Sequence, residues 1–310
     1  MTWIGVIFSI AAPCTVVLTL PERFVLDLRR ALQPFMQGSG TVSLKQAQRI
    51  AGRIARVAHV IPAATPYAAS FWAALSEARK ADGLSRREAP PGKGAARIFS
   101  QAAAWIYALL LPGGPREGLV PLERRVSAAP AAGMADGAGS QATVVFDASV
   151  WGGGAILLLP GSDTVAEYLC FDWPEELCRL FQVSTGLAKH QAFWEMLTLY
   201  VSLLTWAADF RECGLRCLGD ASGALACIRS LKGAGILNHI AREISWRRVR
   251  YGWKYGLGHV PGSRNRIADA LSRQSSPTPS TFPAECVAAL RRPEPEWSEI
   301  WDALVTRAPP

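Results

Sequence analysis

The sequence predicts a mixed α/β fold for residues 141–273, preceded by a mainly helical region. Three apolar stretches of strand length occur in succession after residue 141, and helix-like and strand-like stretches then alternate as far as residue 273. This order is typical of a mixed sheet with flanking helices. Upstream of residue 141, apolar residues recur at three- and four-residue intervals, which is the spacing of amphipathic helices.

The composition favours a folded protein with a polyanionic partner. Half of the 310 residues are apolar, which suffices for sizeable cores, and the length favours two folded units. Basic residues outnumber acidic ones by 33 to 25, which gives a net charge of +8. That excess points first to nucleic acid, although a basic protein without such a partner is the alternative.

Cysteine and histidine usage argues against two classes of site. The seven cysteines are irregularly spaced, and the chain has four histidines. Neither a disulfide framework nor a zinc cluster is indicated by these numbers and spacings. We therefore expect an intracellular protein, of the nucleus or cytoplasm, that is not secreted.

Residues 2–20 are uncharged and largely apolar, and their number just suffices for a membrane span. Against a span, Pro13 lies in the middle, no Lys or Arg precedes the segment, and β-branched residues are frequent. The segment divides naturally into two strands, residues 3–10 and 15–20. We expect a buried hairpin and no membrane contact, with a membrane anchor as the alternative.

Helical patterns cover residues 22–35, 43–60 and 66–80, and with the hairpin they make up a first segment, residues 1–80. Basic residues on the second helix step by four, four and three positions and so share one stripe: Lys45, Arg49, Arg53 and Arg56. Such a stripe is either a solvated face or a phosphate-binding surface.

Residues 81–140 are expected to form a linker. Its first part, 81–95, is rich in turn-forming residues, and its last part, 112–140, is rich in Pro, Gly and Ala without apolar periodicity. A short apolar helix at about 96–111 lies between them. The Pro- and Ser-rich tail, residues 274–310, is expected to attach loosely or to dock on a partner.

The α/β region, residues 141–273, begins with three strands. The predicted strands are 143–146, 154–159, 164–171, 215–219 and 255–260, and the predicted helices are 189–211, 221–231, 236–248 and 264–273.

Four carboxylates occupy informative positions in this region. Asp147 ends the first strand ahead of what reads as a glycine-rich turn, residues 152–154; Glu195 lies in the first turns of the long helix. Asp220 ends the fourth strand, and Asp269 lies in the last helix. Each acid alone has an ordinary explanation as a turn cap or a surface ion pair, so their shared order along the fold is what favours one site.

Grouped carboxylates raise one another's pKa, and a divalent cation offsets that cost. Mg²⁺ prefers oxygen ligands, and two ions about 4 Å apart can activate water and stabilise the leaving oxygen of a phosphodiester. Four acids without histidine or thiolate ligands therefore fit phosphodiester hydrolysis better than zinc chemistry.

Residues 259–273, HVPGSRNRIADALSR, resemble the C-terminal ribonuclease H signature of long-terminal-repeat and related retroelements. Upstream, DASVWGGGA, the helix of Glu195 and GDASGALACI resemble the first three acid sites of that family. The resemblance implies a ribonuclease H-like mixed five-stranded sheet with flanking helices. It also implies two Mg²⁺ ions, with Mn²⁺ as a substitute, held by four ligands: Asp147, Glu195, Asp220 and Asp269.

The same resemblance implies roles for three further residues. His259 would assist catalysis or product release, and Ser222 and Asn265 would contact nucleic acid. Two departures from the family pattern weaken the expected binding of substrate. Ala221 follows Asp220 where many relatives carry Asn, and the four residues 232–235 leave no room for a basic extension.

The first 75 residues more loosely resemble the end of the reverse transcriptase palm and the thumb or connection helices of gypsy-like and tyrosine-recombinase retroelements. The Tyr-x-Asp-Asp polymerase motif does not occur in the sequence. The resemblance thus implies a metal-dependent endonuclease that hydrolyses the RNA strand of RNA–DNA hybrids, within a reverse transcriptase polyprotein fragment that lacks the polymerase active site. Its partners would be the hybrid or other nucleic acid and the rest of the polyprotein. The alternative is a degenerate fragment that binds nucleic acid without catalysis.

Overall fold

The structure, a computed structural model, describes residues 2–3, 6–12, 15–36, 43–82, 93–111, 122–127, 141–210, 213–233 and 235–305. These residues form two compact units, one up to residue 132 and one from 133 to 306. Parts of the predicted linker, residues 83–92, 112–121 and 128–140, lie outside the described residues.

The N-terminal unit contains a sheet of four strands in the order β1-β2-β3-β4. Its strands are β1 (Thr2–Trp3), β2 (Val6–Ala12), β3 (Thr15–Thr19) and β4 (Glu123–Ser127). The predicted hairpin is confirmed by the antiparallel pairing of β2 with β3. It is less buried than expected, because Val17 is buried whereas Ile10 is 83% exposed.

Strand β4 corrects the prediction that residues 81–140 are a linker. It pairs antiparallel with β3, from Thr15 with Ser127 to Thr19 with Glu123. Its sequence, ERRVS, shows no apolar alternation because β4 is an edge strand with a mostly polar surface.

Four helices complete the N-terminal unit: α1 (Glu22–Met36), α2 (Leu44–Val60), α3 (Thr65–Asp82) and α4 (Lys93–Leu109). Ser43 starts α2 with a capping box, in which Ser43 and Gln46 each accept a hydrogen bond from the other's backbone N–H. Phe35, Phe71 and Phe99 meet where α1, α3 and α4 pack. Helix α4 is therefore part of this unit and not of a linker. Among the described residues, no helix combines the length and apolar character needed to cross a membrane.

The C-terminal unit is a mixed α/β structure, as predicted. Its sheet has the order β10-β7-β6-β5-β8-β9. The strands are β5 (Ala142–Ala148), β6 (Gly152–Leu158), β7 (Val165–Asp172), β8 (Leu215–Gly219), β9 (Tyr255–His259) and β10 (Leu290–Arg291). Strands β5, β6 and β7 are antiparallel neighbours, whereas β5, β8 and β9 run parallel. The sixth strand, β10, adds a short parallel edge to the five that were expected.

The two faces of this sheet are covered by different elements. The helices are α5 (Glu175–Phe181), α6 (Gln191–Trp206), α7 (Ser222–Ser230), α8 (Ile236–Tyr251), α9 (Arg266–Ser272) and α10 (Trp297–Val305). Helix α6 is buried along nearly all its length, and with α7 and α8 it packs on one face. Leu271 of α9 and Cys286 pack on the other face against Ile156 and Val165.

The tail differs from the prediction of a loose attachment. Strand β10 pairs with β7, and α10 packs against α8 with Ile300 and Leu304 buried. The tail is therefore an integral layer of the C-terminal unit as far as residue 305.

Candidate metal centre

Three of the four predicted carboxylates come together in the C-terminal unit. Asp147 is near the end of β5, Asp220 follows β8, and Glu195 lies on α6. One carboxylate oxygen from each lies within 4.8 Å of the others. The topology explains this, because β5 and β8 are parallel neighbours whose carboxyl ends share one edge, and α6 packs over β5.

Two acids of the cluster, Asp147 and Glu195, are buried and correspondingly hard to ionise. Asp147 is 4% exposed and Glu195 2% exposed. Burial, followed by the charge of Asp220, raises the pKa of Asp147 to about 7. Burial, followed by the charge of Asp147, raises the pKa of Glu195 to about 8. The physical causes are desolvation and like-charge repulsion, the two effects that a bound cation reverses.

Helix α9 holds both carboxylate oxygens of Asp147. Asn265, directly before the helix, donates through Nδ2 to Asp147 Oδ1 at 3.2 Å and to the carbonyl of Phe146 at 3.1 Å. Ser272, at the other end of α9, donates to Asp147 Oδ2 at 3.0 Å. The orientation of Asp147 is thus fixed by residues about 120 positions later in the chain.

Glu195 is held on one oxygen only. Gln191, one turn earlier on α6, donates to Glu195 Oε1 at 3.0 Å and also to the carbonyl of Ala148. Glu195 Oε2 is buried and has no hydrogen-bond partner in the described part of the chain. A buried acceptor without a partner is costly, so this oxygen is suited to a cation.

Close approach of α9 to the sheet depends on glycine. A Cβ built on Gly154 would lie 2.5 Å from the carbonyl oxygen of Ala268 and 2.6 Å from Ser272 N. The prediction that residues 152–154 form a turn is therefore wrong. They belong to β6, where the absence of a side chain lets α9 reach Asp147.

Asp269 stands apart from the three-carboxylate group. Its Oδ1 accepts two hydrogen bonds from Arg273, from Nε at 2.8 Å and from Nη2 at 2.7 Å. Asp269 is nevertheless close enough for its charge to contribute to the raised pKa of Asp147.

His259 is exposed at the end of β9, in register with Gly219, the residue before Asp220. The loop that follows His259 lies beside the cluster, since a Cβ built on Gly262 would be 3.1 Å from Asp220 Oδ2. This placement is compatible with a proton-transfer role for the imidazole. Among the described residues, the group that could hold a metal ion contains Asp147, Glu195 and Asp220 and does not include His259.

The predicted nucleic-acid contacts have different surroundings. Asn265 is 1% exposed and its amide nitrogen donates to Asp147, so the structure gives it a positioning role at the cluster, while its contact with nucleic acid stays a prediction. Ser222 is exposed in the first turn of α7, two residues after Asp220.

The basic stripe on α2 divides into two halves. Lys45 and Arg49 are exposed. Arg53 and Arg56 are half-buried, and their guanidinium carbons lie 5.7 and 5.3 Å from the centre of the Phe24 ring. The latter pair thus has a role in packing within the N-terminal unit.

Sequence reasoning missed Gln191 and Ser272 as supports of the cluster. Gln191 lies four residues before Glu195, which is a spacing that places two side chains on one helix face and could have identified it. Ser272 lies within the signature-like sequence 259–273, but nothing in that sequence identifies its partner, because Asp147 is distant along the chain.

The residues present fit a hard divalent cation. Carboxylates are the donors that Mg²⁺ prefers, and the group contains an unpartnered buried oxygen of Glu195. Comparisons with known proteins do not extend this assignment: no family model matches the sequence, and neither a curated protein nor a solved structure is detectably similar to the chain.

Proposed function

We propose that the C-terminal unit is a ribonuclease H-like, divalent-metal-dependent endonuclease that hydrolyses the RNA strand of RNA–DNA hybrids. We further propose that the chain derives from a retroelement reverse transcriptase without its polymerase centre. The observation that carries the proposal is the convergence of Asp147, Glu195 and Asp220 at the carboxyl edge of β5 and β8. The signature-like sequence 259–273 supports it independently, since it supplies Asn265 and Ser272, which orient Asp147.

In this mechanism Asp147, Glu195 and Asp220 would hold Mg²⁺ or Mn²⁺, with Asp269 beside them. Two bound ions would supply an activated water and charge stabilisation at the leaving oxygen. The chain's own contribution is positional, because Asn265, Ser272 and Gln191 fix the carboxylates before substrate arrives.

His259 would exchange a proton with solvent or with the departing oxygen, which its exposed position at the end of β9, in register with the residue before Asp220, allows. Selection of RNA would rest on contacts to 2′-hydroxyl groups and to backbone shape instead of base reading. Ser222 is exposed close to Asp220 and is a candidate for such a contact.

The test is cleavage of an end-labelled RNA–DNA hybrid by the full chain in Mg²⁺ or Mn²⁺, with single-stranded RNA and duplex DNA in parallel. Wild-type protein should cut the RNA strand of the hybrid, and Asp147→Asn should not. Asp163→Asn is the matched control and should cut normally. Asp163 is exposed in the β6–β7 turn, at the opposite end of β6 from the residue that pairs with Asp147. Cleavage that continues in excess chelator would overturn the metal mechanism.

The second candidate is a degenerate fragment that binds nucleic acid without cutting it. The ion pair between Arg273 and Asp269 favours it, because the fourth expected ligand is already engaged. Hybrid binding without any cleavage in either metal would select this candidate.

A further inference from the structure

Arg273 places a positive charge at the edge of the acidic cluster. It follows α9 directly, and both Nε and Nη2 donate to the same oxygen of Asp269. Arg273 is half exposed, with 50% of its side chain accessible, and Asp269 is 40% accessible. Neither side chain is locked into the core, so this pair can open without unfolding the helix.

The charge of Arg273 acts beyond its partner. The pKa of Arg273 is raised first by the hydrogen bonds that it donates to Asp269, and also by the charges of Asp147 and Asp220. In the other direction, Arg273 offsets part of the rise in the pKa of Asp147. The arginine therefore interacts electrostatically with Asp147 and Asp220, and it neutralises most directly Asp269, the one acid outside the three-carboxylate group.

We propose that Arg273 is a resident counter-cation of the cluster: it positions Asp269 and competes with divalent metal for it. The proposal rests on the metal centre proposed above and specifies how that centre is regulated. Asp147, Glu195 and Asp220 take up the first divalent ion. Arg273 occupies Oδ1 of Asp269 and neutralises the charge of that carboxylate, so the arginine sets how strongly the fourth carboxylate attracts metal.

The competition has a direct consequence for metal binding. An ion pair at this exposure is weak, so losing the arginine should tighten divalent-metal binding by about fivefold and not by orders of magnitude. Arg273→Lys keeps the positive charge and loses the paired hydrogen bonds of the guanidinium to Asp269. If the charge sets the metal affinity, this variant should bind metal as tightly as the wild type does.

The experiment measures Mn²⁺ binding to the full chain by titration calorimetry at pH 8, independently of cleavage. We expect Arg273→Gln to bind Mn²⁺ about fivefold more tightly, or to gain a second site, while Arg273→Lys matches the wild type. Arg266→Gln is the matched control, since Arg266 lies at the other end of α9 and pairs with Glu285. In an Asp269→Asn background, the effect of Arg273→Gln should shrink, because the contested ligand is gone.

The outcomes separate this proposal from the proposed function. If wild type binds Mn²⁺, Asp147→Asn does not, and Arg273→Gln equals wild type, the counter-cation role is wrong and the metal centre stands. If wild type and Asp147→Asn are alike in binding no Mn²⁺, the metal centre fails and the role of Arg273 fails with it. Thermal unfolding gives a second readout: Arg273→Gln should be less stable than wild type in chelator and should gain more from added Mn²⁺.

Discussion

Replacing Asp147 by Asn should stabilise the metal-free protein above neutral pH, although it removes the central ligand of the proposed site. The pKa of Asp147 is raised from 3.8 to about 7, and that of Glu195 from 4.5 to about 8, mainly by burial. The folded protein therefore keeps protons that the unfolded chain has released. By linkage, this contribution to stability is fully present below about pH 4 and is lost as the pH rises through these folded-state pKa values.

The size of the effect follows from the shift. About three pKa units at Asp147 correspond to roughly 4 kcal/mol at 1.36 kcal/mol per unit. Asn cannot ionise, but it disturbs the hydrogen bonds from Asn265 and Ser272, which costs about 1 kcal/mol. Without metal, Asp147→Asn should thus be about 3 kcal/mol more stable than wild type at pH 8.5 and about equal at pH 5. For a unit of this size, 3 kcal/mol is roughly 6–12 °C in the unfolding midpoint.

The assay is thermal unfolding in chelator across about pH 5 to 9, for wild type, Asp147→Asn and the exposed control Asp163→Asn. Mg²⁺ added at the alkaline end should stabilise wild type and leave Asp147→Asn unchanged, because a ligand stabilises only the state that binds it. The reasoning is refuted if Asp147→Asn shows the same loss of stability with pH as wild type.

Three further predictions test other parts of the molecule. Gly154→Ala should lower the free energy of unfolding by about 1–3 kcal/mol, because its Cβ would lie 2.5 Å from the backbone of α9. Gly223→Ala is the control and should be tolerated, because a Cβ there meets open space. Denaturant titration compares the two variants. Replacing Lys45 and Arg49 together by Gln should weaken hybrid binding and reduce the salt slope by up to about 2, and an unchanged slope would make the stripe a solvated face. His259→Ala should slow hydrolysis by about 10²–10⁴-fold while the metal requirement persists, and wild-type rates from about pH 6 to 9 would end the catalytic role of the imidazole.

Much of the C-terminal unit was predictable because its signals are local. An acid directly after the apolar run VVF marks Asp147 as an unusual residue near the end of β5, where it is still buried and paired with β6. The alternating strands and helices that follow set the order of elements. Given that order, parallel pairing of β5 with β8 brings Asp147 and Asp220 to one edge. The convergence of three carboxylates therefore follows from pattern and topology together.

The errors lie where a residue acts through a distant partner. Strand β4 has no apolar alternation and exists through its pairing with β3, more than a hundred residues earlier. Gly154 looks like part of a turn because glycine favours turns, yet its function is to admit α9. A local choice was also open, because Arg264, Arg266 and Arg273 all lie near Asp269 along the chain, and only the side-chain geometry selects Arg273.

The electrostatics of the cluster bear on the choice between an active nuclease and a binding fragment. With Asp147 ionised and Glu195 Oε2 unpartnered, the cluster lowers the free energy of unfolding by several kcal/mol near neutral pH. That is a large fraction of the roughly 5–15 kcal/mol that stabilises a typical domain. A nucleic acid alone would increase that cost, because its phosphates add negative charge beside three carboxylates. A divalent cation lowers the cost and at the same time permits a phosphate to approach. Metal-free binding of nucleic acid at this edge of the sheet is therefore the least favourable use of these residues. Binding that requires metal would place a phosphodiester next to the groups that we propose hydrolyse it.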